Sequence, residues 1–205
     1  MSFSVEPSRE ECHTDASTKS SEDALARHYQ SILQELGEDP SREGLLKTPA
    51  RAAKAMLFLT QGYSQSVEEL LNGAVFHEEN NQMVVLRDIE FYSQCEHHLV
   101  PFFGKCHIAY IPKDGRILGL SKLARIAETF AKRLQVQERL TAQIANTLYE
   151  NLQPRGVMVV IEAEHTCMTL RGVKKPGAKT ITSVVLGAFR EKPQTRAEAM
   201  ALIKG

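Results

Sequence analysis

The stretch that decides the fold is residues 84–115, VVLRDIEFYSQCEHHLVPFFGKCHIAYIPKDG, which predicts two strands joined by a polar loop. The apolar and β-branched residues at its start predict a first strand, which leads directly into the loop at 93–98. A second strand is predicted over 104–111, and the Pro-Lys-Asp-Gly sequence at 112–115 is a strong turn signal. Adjacent strands with tight turns favour an antiparallel sheet.

Two helices and two more strands are predicted after this pair. In order, they are a helix that Ser121 caps and that runs to Leu134, a helix over 137–152, and strands over 157–164 and 180–189. The sequence strand, strand, helix, helix, strand, strand is typical of an α+β fold with an antiparallel sheet and helices on one face.

The chain before this core divides into two predicted segments. Residues 1–22 are rich in Ser, Thr and Glu, carry almost no apolar periodicity and predict a disordered tail. Residues 23–73 predict a helical segment: a helix over 23–36, a second from Thr48 to about Thr60, and a third opened by the capping box Ser66–Glu69. We therefore place the main domain at 74–205.

Composition excludes several classes of protein. The 205 residues carry 25 Lys and Arg against 25 Asp and Glu, so no broad charge attracts nucleic acid or membrane, although a local cationic pocket is compatible with this balance. No run approaches the ~20 apolar residues of a membrane helix, and residues 1–21 lack the apolar core of a signal peptide. We expect a cytoplasmic protein whose four cysteines stay reduced.

Two short motifs concentrate the metal-binding side chains. In Cys95-Glu96-His97-His98, a turn at a strand end brings Cys95 and His98 to one side, because they are three residues apart. In His165-Thr166-Cys167, at the end of the third predicted core strand, alternation directs His165 and Cys167 to the same face. Thiolate and imidazole are ligands that zinc favours, so the two strand ends predict a zinc site.

The number of ligands decides what such a site does. With Cys95, His98 and Cys167 as ligands, a fourth position stays open for water, as in catalytic zinc sites, and the neighbouring imidazoles are suited to proton transfer. The alternative is a closed structural site in which His97, His165 or Cys106 supplies a fourth ligand. The spacing alone leaves both open, together with a third possibility, that these residues bind no metal.

Five motifs together resemble the GTP cyclohydrolase I family. They are Lys47-Thr48-Pro49 with Arg51 and Lys54, Cys95-Glu96-His97-His98, Gly119-Leu120-Ser121-Lys122-Leu123-Ala124-Arg125, Gln135-Val136-Gln137-Glu138-Arg139-Leu140, and His165-Thr166-Cys167-Met168 with Arg171-Gly172. They occur in the family's order and cover roughly residues 45–189. The resemblance implies the tunnelling fold, a four-stranded antiparallel sheet with two helices between strands two and three, here preceded by N-terminal helices.

The resemblance also implies an activity and an assembly. The family opens the guanine imidazole ring of GTP by zinc-dependent hydrolysis, and rearrangement gives 7,8-dihydroneopterin triphosphate and formate, the first step of tetrahydrofolate and pterin biosynthesis. Its members assemble as homodecamers of two pentamers with active sites between subunits. The family's zinc ligands fall on Cys95, His98 and Cys167, its catalytic histidines on His97 and His165, and a residue that assists at the ribose on Ser121.

The remaining predicted site residues concern substrate binding. As a carboxylate, Glu138 can accept two hydrogen bonds, from N1–H and the 2-amino group of guanine. Ser121, Lys122 and Arg125 cluster at a helix start, which favours anions. With Arg171 they resemble a triphosphate site, and Arg51 and Lys54 are expected to add charge from a neighbouring subunit.

Two other functions compete with this interpretation. A zinc-stabilised scaffold that binds a nucleotide or a protein would use four protein ligands and show no turnover. Another tunnelling-fold enzyme, such as the nitrile reductase of deazaguanine metabolism, would need a cysteine nucleophile without zinc, whereas this chain carries the full Cys/His/Cys set.

Overall fold

The computed structural model describes residues 9–205, with side chains from Thr18 onward. The chain divides into two compact units, Met1–Phe58 and Leu59–Gly205. Helices α1 (Arg9–Glu35) and α2 (Thr48–Leu59) account for the regular structure of the first unit. No helix of the described residues is long and apolar enough to cross a membrane.

Helix α1 begins earlier than predicted. It begins at Arg9, whereas the sequence predicts a helix that begins near Asp23. No Pro or Gly, the two residues least favourable in a helix, interrupts residues 9–35. The predicted tail at residues 1–8 lies outside the described residues. The proposed division at residues 22 and 73 stays a prediction.

The second unit is built on one five-stranded sheet. Its strands are β2 (Val84–Cys95), β3 (Pro101–Ile111), β5 (Leu134–Gln135), β6 (Gly156–His165) and β7 (Lys179–Gly187), in the spatial order β5-β2-β3-β6-β7. Neighbours in β2-β3-β6-β7 are antiparallel, and β5 pairs in parallel with the end of β2. Helices α4 (Leu120–Ala131) and α5 (Gln137–Leu152) lie between β3 and β6 in the chain, so the predicted α+β topology is confirmed.

The main core lies between this sheet and helices α4 and α5. In α5 the buried apolar residues Leu140, Ile144 and Leu148 recur every four positions, which puts them on one face of the helix. They pack in one cluster with strand residues such as Phe102 and Ile161, both fully buried. Burying each such side chain stabilises the fold by about 1.5–3 kcal/mol. The cluster therefore holds α4 and α5 against the sheet.

A smaller cluster covers part of the opposite face of the sheet. Helices α7 (Ala188–Glu191) and α8 (Pro193–Lys204) follow β7, and Phe189 and Ala199 pack there against Ala109, Met158 and Val160. The adjacent positions in β3 and β6 belong to the main core, as the alternation of side chains in a strand requires.

A bulge in β2 directs a backbone N–H group at a buried histidine of β3. The pairing of β2 and β3 shifts between Leu86 and Ile89, and Asp88 there has a φ of 60°. The Asp88 N–H donates to Nδ1 of His107 at 3.1 Å. Burial lowers the pKa of His107, an effect that Asp88 and Glu162 oppose and that the nearby cations Lys105 and Arg87 reinforce.

Several local predictions can be compared with the structure. Ser66 caps α3 (Val67–Leu71), accepting from the Glu69 N–H at 3.3 Å, as predicted. The prediction that Ser121 caps α4 is wrong: Gly119 is the N-cap, and its carbonyl accepts from the Lys122 N–H at 2.8 Å.

Short strands also went unpredicted. Helix α4 ends at Ala131 because residues 134–135 pair with β2, and the pair β1 (Val75–His77) and β4 (Arg116–Leu118) forms a separate two-stranded sheet.

Candidate active site

The first part of the site is a tight turn at the end of β2. The Cys95 carbonyl accepts from the backbone N–H groups of His98 at 3.4 Å and Leu99 at 2.8 Å, and the Cys95 N–H donates to Val100 at 2.9 Å. Leu99 has a φ of 54°, the left-handed conformation that lets the chain reverse into β3. This turn brings His98 beside Cys95.

The second part lies where β6 ends. His165 is the last residue of β6, and Cys167 belongs to the short helix α6 (Thr166–Thr169) that begins immediately after it. The Thr166 hydroxyl donates to the Pro101 carbonyl at 2.5 Å, which fixes the start of α6 against the start of β3. The prediction that His165 and Cys167 alternate along one strand is therefore wrong, because the chain turns helical after His165.

The two parts meet in one group of metal-binding side chains. In the part of the chain that the structure describes, the ligand atoms of Cys95, His98 and Cys167 all lie within 4.8 Å of one another. Tetrahedral ligands at ~2.3 Å from zinc lie about 3.8 Å apart, so only small shifts are needed to hold that ion. Two soft thiols and an imidazole are a donor set that zinc prefers. The residues present therefore fit a zinc ion.

The electrostatics of the two thiols also favour a cation. Burial raises the pKa of Cys167, and the adjacent Cys95 thiol raises it further, while the Arg171 guanidinium lowers it. Two neighbouring thiolates repel each other, and a bound divalent cation removes that penalty. Cys106 lies outside the group, fully buried in the sheet, where burial raises the pKa of its thiol to about 12. It is an apolar core residue and not a fourth ligand.

His165 stands beside this group in a defined environment. Its ring stacks on Phe102, with ring centroids 4.6 Å apart and planes within 2°, and its Nε2 lies 2.8 Å from Oε1 of Gln137. Burial lowers the pKa of His165, and the negative charge of Glu138 opposes that shift. The predicted base anchor therefore lies within electrostatic range of the predicted catalytic histidine in the same chain.

An ion pair joins the start of α5 to the metal-binding turn. Arg139 donates from its two terminal nitrogens to the two carboxylate oxygens of Glu96, at 2.5 and 2.9 Å. The hydrogen bonds from Arg139 hold the pKa of Glu96 below its usual value. Nε2 of His97 lies 4.0 Å from Oε1 of Glu96, and 64% of the His97 side chain is exposed, so its ring is accessible to a substrate.

The predicted triphosphate residues fall in different places. Lys122 and Arg125, on the first turns of α4, line a cavity of about 540 Å³ together with residues of α3, and Nζ of Lys122 donates to the Leu70 carbonyl at 2.6 Å. Ser121 is exposed on the first turn of α4. Arg171 is close enough to Cys167 to influence its pKa.

Arg51 and Lys54 lie on α2 in the first unit. Both are exposed, and Lys54 forms an ion pair with Glu22 at 3.6 Å.

Comparison with known proteins decides the family. The sequence model of GTP cyclohydrolase I matches residues 25–204, and every predicted site residue lies within that span. The chain belongs to the GTP cyclohydrolase I family. It is 63% identical over 174 residues to GTP cyclohydrolase 1 of Dictyostelium discoideum, covering 85% of this chain and 75% of that protein.

Two further relatives show the same pattern. Identity is 58% over 181 residues to GTP cyclohydrolase 1 of Chromohalobacter salexigens, covering 88% of this chain and 98% of that protein. Identity is 58% over 180 residues to GTP cyclohydrolase 1 of Rattus norvegicus, covering 88% of this chain and 74% of that protein.

Within this GTP cyclohydrolase I framework, sequence reasoning missed the residues that hold the site together. The motif at 135–140 assigns no role to Gln137, although only 1% of this residue is exposed. Its spacing from Leu140 and Ile144 puts it on the buried face of α5, and a buried amide at such a position signals a specific hydrogen-bonding role. Phe102 contacts His165 across the paired strands β3 and β6, and Arg139 of α5 contacts Glu96 in the turn after β2, so neither contact has a signal in the local sequence.

Proposed function

We propose that this chain is a GTP cyclohydrolase I, a hydrolase acting on a cyclic amidine. It opens the guanine imidazole ring of GTP and yields 7,8-dihydroneopterin triphosphate and formate, the first step of tetrahydrofolate and pterin biosynthesis. The observation that carries the proposal is the Cys95, His98 and Cys167 group with His165 and Glu138 beside it, in a chain of this family.

Zinc is the proposed cofactor, held by Cys95, His98 and Cys167. When bound it supplies a Lewis acid that activates water for hydrolysis at neutral pH. The three-residue group favours an open coordination position over a closed structural site, since Cys106 lies outside the group in the buried core. His97 and His165 are then free to move protons.

The chain's own residues account for the base and its chemistry. Glu138 accepts hydrogen bonds from N1–H and the 2-amino group of guanine, which orients C8 and N7. Water adds to C8 while His165 or His97 delivers a proton to N7, and the imidazole ring opens. A second water releases formate, and the ribose carbons, assisted by Ser121, rearrange and condense with the freed amine, losing one water. One water is consumed overall.

The triphosphate requires a cationic surface. We assign it to Lys122, Arg125 and Arg171, with Arg51 and Lys54 of a neighbouring subunit adding charge. Lys122 and Arg125 line a cavity that contains none of the proposed metal ligands. That separation supports an active site completed between subunits of a homodecamer of two pentamers, in which one chain supplies the metal group and a neighbour supplies the start of α4. We propose a cytoplasmic enzyme without nucleic-acid or membrane partners.

The decisive experiment follows turnover and metal together. Purified protein is incubated with GTP, with and without a chelator that is later back-titrated with zinc, and formate and the fluorescent oxidised pterin are measured. Both products should appear, disappear with the chelator and return with zinc. A zinc-stabilised scaffold would hold zinc without turnover, and a nitrile reductase would leave GTP intact but consume a reduced nicotinamide and a deazaguanine nitrile.

A further inference from the structure

Gln137 occupies an unusual place for an amide. It is the first residue of α5, only 1% exposed, and its side chain reaches between the helix and the sheet. The two hydrogens on Nε2 of Gln137 are shared among three acceptors: the carbonyls of Ile161 at 3.0 Å and Thr180 at 2.9 Å, and Oγ1 of Thr182 at 3.1 Å. Together with the contact between Oε1 and His165, both polar atoms of the side chain are engaged.

These contacts fix which way the amide faces. Backbone carbonyls only accept hydrogen bonds, so the atom between Ile161 and Thr180 has to be the NH₂ group. A flipped amide would place its oxygen about 3 Å from two carbonyl oxygens, with no hydrogen between them. Oε1 of Gln137 thus faces Nε2 of His165 at 2.8 Å.

The orientation of the amide determines the tautomer of the histidine. An amide oxygen cannot donate, so Nε2 of His165 must carry a hydrogen and donate it to Gln137. A neutral imidazole holds one hydrogen, which leaves Nδ1 as the nitrogen with a free lone pair. The Phe102 ring, stacked in parallel at 4.6 Å, keeps the imidazole from rotating out of this alignment.

We infer that Gln137 is a positioning residue that holds His165 in the Nε2–H tautomer, so that His165 exchanges protons with the substrate through Nδ1. This inference rests on the proposed function for the identity of the substrate, but the hydrogen-bond direction holds for any reaction at this site.

A purely structural role for Gln137 makes a different prediction. The same buried network contains Thr141, whose hydroxyl donates to the Gln137 carbonyl at 2.7 Å and pairs with Thr182 at 2.7 Å. Thr141 is fully buried on the same helix, and these hydrogen bonds of its hydroxyl go to Gln137 and Thr182 rather than to His165. If Gln137 mattered only for packing and stability, Thr141→Val would be as harmful to turnover as Gln137→Met.

The test compares three proteins loaded with zinc: the parent, Gln137→Met, which keeps the length of the side chain without its hydrogen bonds, and Thr141→Val. Zinc per chain, thermal midpoint, and kcat and KM for GTP are measured for each. We expect Gln137→Met to keep its zinc and a KM within about threefold, and to lose at least about tenfold in kcat, part of the ~10²–10⁴-fold that acid–base catalysis contributes. Thr141→Val should lose stability but keep kcat within about twofold.

Neutron diffraction of the parent exchanged in D₂O gives a readout that needs no turnover. At a pH where the ring is neutral, a deuteron is expected on Nε2 of His165 and none on Nδ1. A deuteron on Nδ1 alone would overturn the inference, as would equal kcat in Gln137→Met and the parent. A parent that holds zinc but does not convert GTP would refute the proposed function instead, and the deuteron position would still decide the role of Gln137.

Discussion

Replacing Glu138 with Gln tests how the site selects guanine. Glu138 lies exposed in the first turn of α5, and its charge acts on His165, so a base held by this carboxylate would lie close to the proposed catalytic histidine. The substitution keeps size and shape but turns one acceptor into an N–H donor that faces a donor of guanine. A hydrogen bond to a charged group contributes about 1.5–3 kcal/mol. We therefore expect kcat/KM for GTP to fall roughly 10- to 150-fold.

The assay is a cycle of two proteins and two substrates. ITP lacks the 2-amino group, so the parent should prefer GTP to ITP, and Glu138→Gln should lose most of that preference if the carboxylate binds this amino group. Glu150→Gln is the matched control, because it makes the same change of charge at an exposed position near the other end of α5. It should leave both substrates unaffected.

Zinc content and assembly are measured alongside, since Glu138 is not among the proposed ligands. If Glu138→Gln converts GTP at the parental rate, or if it loses GTP and ITP turnover equally, Glu138 does not bind the 2-amino edge of guanine. A loss of zinc would show instead that the substitution disturbs the metal-binding turn.

Four further outcomes are expected. Cys167→Ser, which replaces a thiolate with a hydroxyl that hardly ionises, should bring zinc well below one per chain, and full occupancy with normal activity would exclude Cys167 as a ligand. His165→Ala should keep zinc yet lose about 10²–10⁴-fold in rate, whereas loss of zinc would make it a ligand. Burial lowers the pKa of His107, so its pKa in the folded protein is below the unfolded value of ~6.5. The free energy of unfolding is therefore highest above the unfolded pKa and declines as the pH falls toward the folded pKa. His107→Gln should accordingly flatten the drop in thermal midpoint between about pH 7.5 and 5.5. Mixed assemblies of Arg125→Ala and His165→Ala subunits should regain activity that neither has alone, and no regain in verified mixtures would place both residues in one chain's site.

Much of the fold could be predicted because its signals are local. Apolar alternation and turn residues identify the strands, and the capping pair Ser66 and Glu69 predicts the start of α3. The metal group could be predicted for a related reason. Cys95 ends β2 and Cys167 follows β6, and the topology brings these two strand ends to the same end of the sheet. A helix start without a side-chain cap, such as the one at Gly119, has no comparable signal. The polar residue Ser121, two positions later, is therefore wrongly predicted as the N-cap of α4.

What could not be predicted depends on partners far apart in the chain. The direction of the Gln137 amide is decided by Ile161 and Thr180, which lie on two strands that follow α5 in sequence. No spacing within the motif reveals these carbonyls, because they become neighbours only when β6 and β7 pair beneath the helix. The same holds for Arg139 and Glu96, which are 43 residues apart.

These long-range contacts hold in place the two segments that carry the proposed metal ligands. Each segment that carries a proposed metal ligand is bonded to a neighbouring element. Glu96 and Arg139 join the turn after β2 to α5, and the Thr166 hydroxyl joins the start of α6 to the Pro101 carbonyl of β3. A site held by such supports keeps its geometry without the substrate, so less binding energy is lost to ordering it. In the proposed function, a base bound at the start of α5 would meet a histidine whose ring is held by Phe102 of β3 and Gln137 of α5 rather than by a flexible loop.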